Sequence, residues 1–126
     1  MSAVESSVLR QRLSRLLKER AQLEQDLLER RQKLARGSLY KRYLPCAYAG
    51  CKCQQGQLHG PFYYMSDKKE GKAVHRYVGK TLDVPSAKKL IRYKAFQEAL
   101  SRIRKLSFEI SDLWNEYRDS LVEQEG

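Results

Sequence analysis

The 126-residue chain has no apolar run near the roughly 18 residues that a bilayer-spanning helix needs, which excludes a membrane-spanning helix. Its first twelve residues, MSAVESSVLRQR, lack the basic-then-apolar layout of a signal peptide, so the expected location is cytoplasmic, at the nucleoid if the chain binds DNA. Cysteine is scarce and odd in number: the three, Cys46, Cys51 and Cys53, lie within eight residues, which does not read as a secreted disulfide framework. Acid is also short, with 15 Asp and Glu against 25 Lys and Arg, a net charge of +10. An excess of that size on one small domain points to a polyanionic partner, nucleic acid before an anionic membrane. No lipidation motif and no helix with a wide exposed apolar face supports the membrane option. A hydrophobic share of 41% with 8 Tyr suffices for a modest core.

Glycine and proline are nearly absent outside residues 37–82, and that divides the chain into an N-terminal helix (1–36), a basic β head with a Cys/His loop (37–82) and a C-terminal helix (83–126). Leu9, Leu13, Leu16, Leu23, Leu27 and Leu34 follow heptad steps, interrupted by Arg20 and Arg30 at two seam positions. Ser2 to Glu5 has the form of a capping box and Gly37 offers a stop, so a helix is expected over residues 3 to 36. The second begins near Asp83-Val84-Pro85-Ser86 and carries apolar residues at Leu90, Tyr93, Phe96, Leu100, Ile103, Leu106, Ile110, Leu113, Trp114, Tyr117 and Leu121. Two helices with one apolar face each are expected to pair as an antiparallel hairpin, a stalk that exposes enough of its seam to dimerise or to dock a helical partner. Between them, Ser38–Leu44, Pro61–Met65 and Ala73–Val78 are rich in aromatic and β-branched residues. They are expected as a three-stranded antiparallel sheet, its second and third strands joined by the polar turn Ser66–Lys72. The fold class is therefore α+β.

Charge is distributed unevenly. Residues 1–29 sum to zero, residues 30–105 to +15 and residues 106–126 to −5. A polyanion-binding head follows, and DNA is the expected ligand. Phosphate contacts are expected from Lys41, Arg42, Lys52, Lys68, Lys69, Lys72, Lys80, Lys88, Lys89 and Arg92, and groove contacts from His75 and Arg76. For Tyr63, Tyr64 and Tyr77, buried packing is expected to claim at least half of the rings. In an RNA-binding alternative Tyr63 and Tyr77 would stack on bases. An adaptor that uses only its helices is a further alternative.

Cys46, Cys51, Cys53 and His59 supply the ligand count of a closed Cys3His zinc site, though C-x4-C-x-C is not a standard knuckle spacing. The same residues equally suit a compact turn of reduced thiols packed as small hydrophobes, and both readings are open. Enzyme signatures fail. Gly79-Lys80-Thr81 resembles the end of a phosphate loop, but Val74 stands where its first glycine belongs, and no nucleophile elbow or H-E-x-x-H is present, so no enzyme is expected.

The Cys46-x4-Cys51-x-Cys53 loop, His59-Gly-Pro-Phe-Tyr-Tyr64 and Arg76-Tyr-Val-Gly-Lys80 together resemble an uncharacterised family of small bacterial and archaeal proteins with an HGPYYY strand and an RYVGK-like strand. Phe62 stands where the commoner residue is Tyr. Members are often encoded with mobile elements, which implies a DNA-related task such as regulation or an accessory role. The layout of paired strands, basic turn and following helix is also similar to the arm-binding domains of tyrosine integrases, at the level of fold alone.

Overall fold

A computed structural model describes residues 3–45, 50–51 and 56–123. The chain is α+β, with α1 (Ala3–Arg30), β1 (Ser38–Leu44), β2 (His59–Lys69), β3 (Lys72–Gly79) and α2 (Pro85–Leu121) in order. It divides into two compact units, a helical one of residues 1–31 with 96–126 and a sheet unit of residues 32–95, so α2 contributes to both.

In the helical unit α1 runs antiparallel to the C-terminal part of α2. Leu13 and Leu16 bury against Leu106, Ile110 and Leu113, with Leu9, Leu17, Leu23 and Tyr117 packed around them. Each of the five buried side chains contributes about 1.5–3 kcal/mol of apolar burial. Arg20, the first interruption of the leucine seam, is accommodated because α2 places Ser107 opposite it, and its guanidinium donates to Ser107 Oγ at 3.3 Å. Glu19 and Arg102 pair at 2.7 Å, and the hydrogen bond and charge of Glu19 raise the guanidinium pKa above its ordinary value. The α2 stripe is only partly covered: Trp114 is 48% exposed, and Leu100 and Leu121 are exposed as well.

α1 stops at Arg30, short of the expected Gly37, because Arg31 takes a left-handed conformation (φ 43°) that ends the intrahelical ladder. Arg30 and Arg31 then sit at the negative end of the helix dipole. Leu34, which had extended the heptad pattern, lies outside the helix and is exposed. Ser2 of the capping box lies outside the described residues.

The sheet unit holds an antiparallel sheet of order β1-β2-β3. The expected long polar turn is in fact two residues. β2 and β3 run on to the Lys69↔Lys72 pair, leaving Glu70 (φ 53°) and Gly71 (φ 78°) as the loop. Two successive positive φ angles match the twist of a hairpin, and Lys68, Lys69 and Lys72, expected in the turn, are exposed strand ends. Tyr64 pairs with Tyr77 but Tyr63 with Gly79, so Val78 is an extra residue that bends β3. α2 opens with Pro85 in its first turn, and Val84 C=O accepts from Lys88 N–H at 3.2 Å. The unit's core is Met65, Ala87 and Leu90, with Gly79 buried against Val84. Gly37 (φ 138°) is held where an added Cβ would lie 3.0 Å from Met65 Cε and 3.3 Å from Leu90 Cδ2, so the chain enters β1 through a gap only glycine fits.

Candidate functional site

Strand alternation and register divide the sheet unit into two faces. Met65 marks the covered one, which also holds Leu39, Lys41, Tyr63, Asp67, Val74 and Arg76. The opposite face carries Ser38, Tyr40 and Arg42 from β1, Phe62, Tyr64, Ser66 and Lys68 from β2, and Ala73, His75 and Tyr77 from β3. Here the pairing Tyr40↔Tyr64↔Tyr77 lays one tyrosine from each strand side by side.

The rings touch. Tyr40 and Tyr64 stack at 5.8 Å between centroids with planes 25° apart, and Tyr77 stands edge-on to Tyr64 at 5.4 Å. His75 stands edge-on to Tyr40 at 5.8 Å, and its Nδ1 shares a 3.0 Å hydrogen bond with the Tyr40 hydroxyl. The Arg42 guanidinium lies 5.3 Å from the Tyr64 centroid. Aromatic pairs of this geometry are each worth about 0.5–1.5 kcal/mol, and an exposed cation–π contact about 0.5–1 kcal/mol, enough to hold the side chains in one arrangement. The row nevertheless stays open to solvent: His75 and Arg42 are exposed and Tyr77 is 48% exposed. Beyond His75, a groove of about 460 Å³ is lined by Arg36, Ser38, Ser66, Asp67, Lys68, His75 and Tyr93. Asp67, the one acid in it, accepts from the Lys68 backbone N–H at 2.8 Å and faces Arg36 at 3.8 Å.

The expected cationic residues fall into several places. Lys68, Lys69 and Lys72 crowd the β2–β3 turn, Lys80 follows β3 directly, and all four are exposed. Arg42 and His75 share the aromatic face, while Lys41 and Arg76 project from the other. On α2, Lys88 is exposed and Lys89 and Arg92 are half-buried, the Lys89 carbonyl accepting from Ala35 N–H at 3.2 Å. Lys52 lies outside the described residues. None of Tyr63, Tyr64 and Tyr77 is buried, against the expectation for at least half of them, because the sheet's one deep side chain is Met65. Consecutive Tyr63 and Tyr64 necessarily face opposite ways, so Tyr63 and Tyr77 do not form one stacking surface. Tyr40, not singled out in the sequence, is central to the row; alternation along Ser38–Leu44 already placed it beside Arg42.

For the metal set, His59 opens β2 and its Nε2 is hydrogen-bonded to Cys51 Sγ at 3.1 Å. Two ligands of a tetrahedral zinc ion stand about 3.5 Å apart, given Zn–S near 2.3 Å and Zn–N near 2.0 Å, so this pair fits either a shared metal or a direct hydrogen bond. Cys46 and Cys53 lie outside the described residues, and no group of three or more metal-ligating side chains occurs among the described ones. No helix among the described residues is long and apolar enough to cross a membrane.

Compared with known families, residues 8–89 match the domain of unknown function DUF6788, and the chain belongs to that family. No curated protein and no solved structure matches it.

Proposed function

We propose that this member of the DUF6788 family binds nucleic acid, DNA in the first instance, through its sheet unit. The observation that carries the proposal is the concentration of charge. Residues 32–95 hold 14 Lys and Arg against three acids, a net of +11, while the rest of the chain sums to −1. A unit so charged attracts phosphate from a distance and releases counterions on contact. Lys68, Lys69, Lys72 and Lys80 clamp the backbone, with Arg42 and His75 next to the bases on the aromatic face and Arg76, on the opposite face, a further phosphate contact. RNA is the second reading, favoured by the open aromatic row. The role is binding, with no chemistry assigned to the site.

The helical unit supplies dimerisation or a partner-docking surface in this proposal, supported by exposed Phe108 (74%) and Trp114. The resemblance to proteins encoded with mobile elements supports a regulatory or accessory task in DNA transactions within the cytoplasm. A zinc ion on Cys46, Cys51, Cys53 and His59 would fasten the loop between β1 and β2. Reversing Arg76 and Lys80 to Glu tests the core of the proposal. The double variant is expected to lose the gel shift of duplex DNA at low salt while its far-ultraviolet circular dichroism stays unchanged; undiminished binding overturns it.

A further inference from the structure

The nucleic-acid proposal rests on charge, and charge does not distinguish a duplex from a single strand. The aromatic row does. A duplex hides the faces of its bases in a stack of about 3.4 Å spacing and offers a protein only their edges and the phosphates. An exposed ring has nothing to stack on there, whereas every unpaired base has a π-face.

On the open face the central pair, Tyr40 and Tyr64, is half-buried and occupied with its neighbours. The outer rings, Tyr77 and His75, are the exposed ones, and each is fixed by a contact to that pair. Both project from β3, two residues apart and hence about 7 Å along the strand. That spacing is twice the separation of stacked bases, so bases seated on both rings must come from a strand whose own stack is broken. Lys68, paired with Ala73 on the same face, stands at one end of the two rings and Lys80 follows the other end of β3, which brackets them with positive charge. Arg42, lying against Tyr64, adds a cation on the aromatic face itself.

We infer that β3 is a track for single-stranded nucleic acid, with unpaired bases stacked on Tyr77 and His75 and phosphates held by Lys68, Lys80 and Arg42. This deepens the proposal above and depends on it. The Tyr40 hydroxyl, bonded to His75 Nδ1, acts as a positioning group that sets the imidazole plane. Stacking tolerates any base, so composition matters less than strandedness.

The test uses the full chain and fluorescein-labelled 15-mers in anisotropy titrations at low salt: oligo-dT, oligo-U, an abasic strand of the same length, and a duplex. Wild-type protein is expected to bind dT or U at least fivefold more tightly than the abasic strand, which has the phosphates but nothing to stack. Tyr77→Ala is expected to remove roughly five- to hundredfold of the affinity for the single strand and to leave that for the abasic strand within twofold. Tyr77→Trp is expected to keep it. The relative affinities for dT and U show whether DNA or RNA is preferred. Equal binding of abasic and base-bearing strands by the wild type overturns the stacking inference and leaves the charge-based proposal standing. Absence of binding to all four probes overturns both. The wild-type comparison needs no variant to fold, and circular dichroism and melting of Tyr77→Ala exclude loss of structure as the cause of its effect.

Discussion

If phosphate contacts dominate affinity, binding must weaken with salt by an amount set by how many cations are engaged. Five cations border the aromatic row or its ends and are exposed: Arg42, Lys68, Lys69, Lys72 and Lys80. On a single strand each neutralised phosphate contributes about −0.7 to the slope of log affinity against log salt, so all five together give a slope of about −3.5. Raising monovalent salt from about 50 to about 200 mM is then expected to cost roughly 130-fold in affinity. Changing Lys68, Lys69 and Lys72 together to Ala leaves two contacts, a slope of about −1.4 and a loss of only about sevenfold over the same range. Anisotropy titrations at four salt concentrations, on both proteins, measure both slopes. A slope near zero in the wild type, or the same slope in both proteins, refutes the assignment of these lysines to phosphate.

Other expectations concern the framework that holds the site. Leu106 is fully buried between the helices, and Leu106→Ala is expected to destabilise the helical unit by about 2–5 kcal/mol, read as a lower urea midpoint. Gly37→Ala places a Cβ 3.0 Å from both Met65 Cε and the Ser66 carbonyl at a φ of 138°, and is expected to cost about 2–4 kcal/mol and lower the melting temperature. An unchanged melting temperature would show that β1 can shift away from Leu90. If Cys51 and His59 share a metal, purified protein carries one zinc per chain and Cys51→Ser with Cys53→Ser removes it. Folded protein well below stoichiometric zinc favours the thiol turn.

The helices were legible because apolar residues at steps of three and four have only one simple explanation, a face to be covered. Their limits were less so: a leucine at position 34 continued the pattern after the backbone had turned at Arg31, and no side-chain period records a single left-handed residue. The strands announced themselves through Tyr, Phe and Val. Which face of them would be open did not, because alternation says which residues share a face, while the choice of face depends on Leu90 and Met65 meeting at Gly37. Composition therefore groups Tyr63 with Tyr77, which lie on opposite sides of the sheet, and leaves Tyr40 unmarked. The cationic residues were easier to find than to assign, since charge is visible in one dimension and strand register is not.

β3 is an edge strand, with one row of backbone donors and acceptors unpaired by the sheet. Left bare, such a row invites a second copy to zip alongside and begin an aggregate. Lys72, Arg76 and Lys80, spaced along that edge, oppose it by bringing like charge against like. The cations proposed to hold phosphate thus also oppose pairing between free copies of the chain. Substituting them with apolar residues would unmask a self-association hazard along with any loss of binding, whereas reversal to Glu preserves the repulsion between copies.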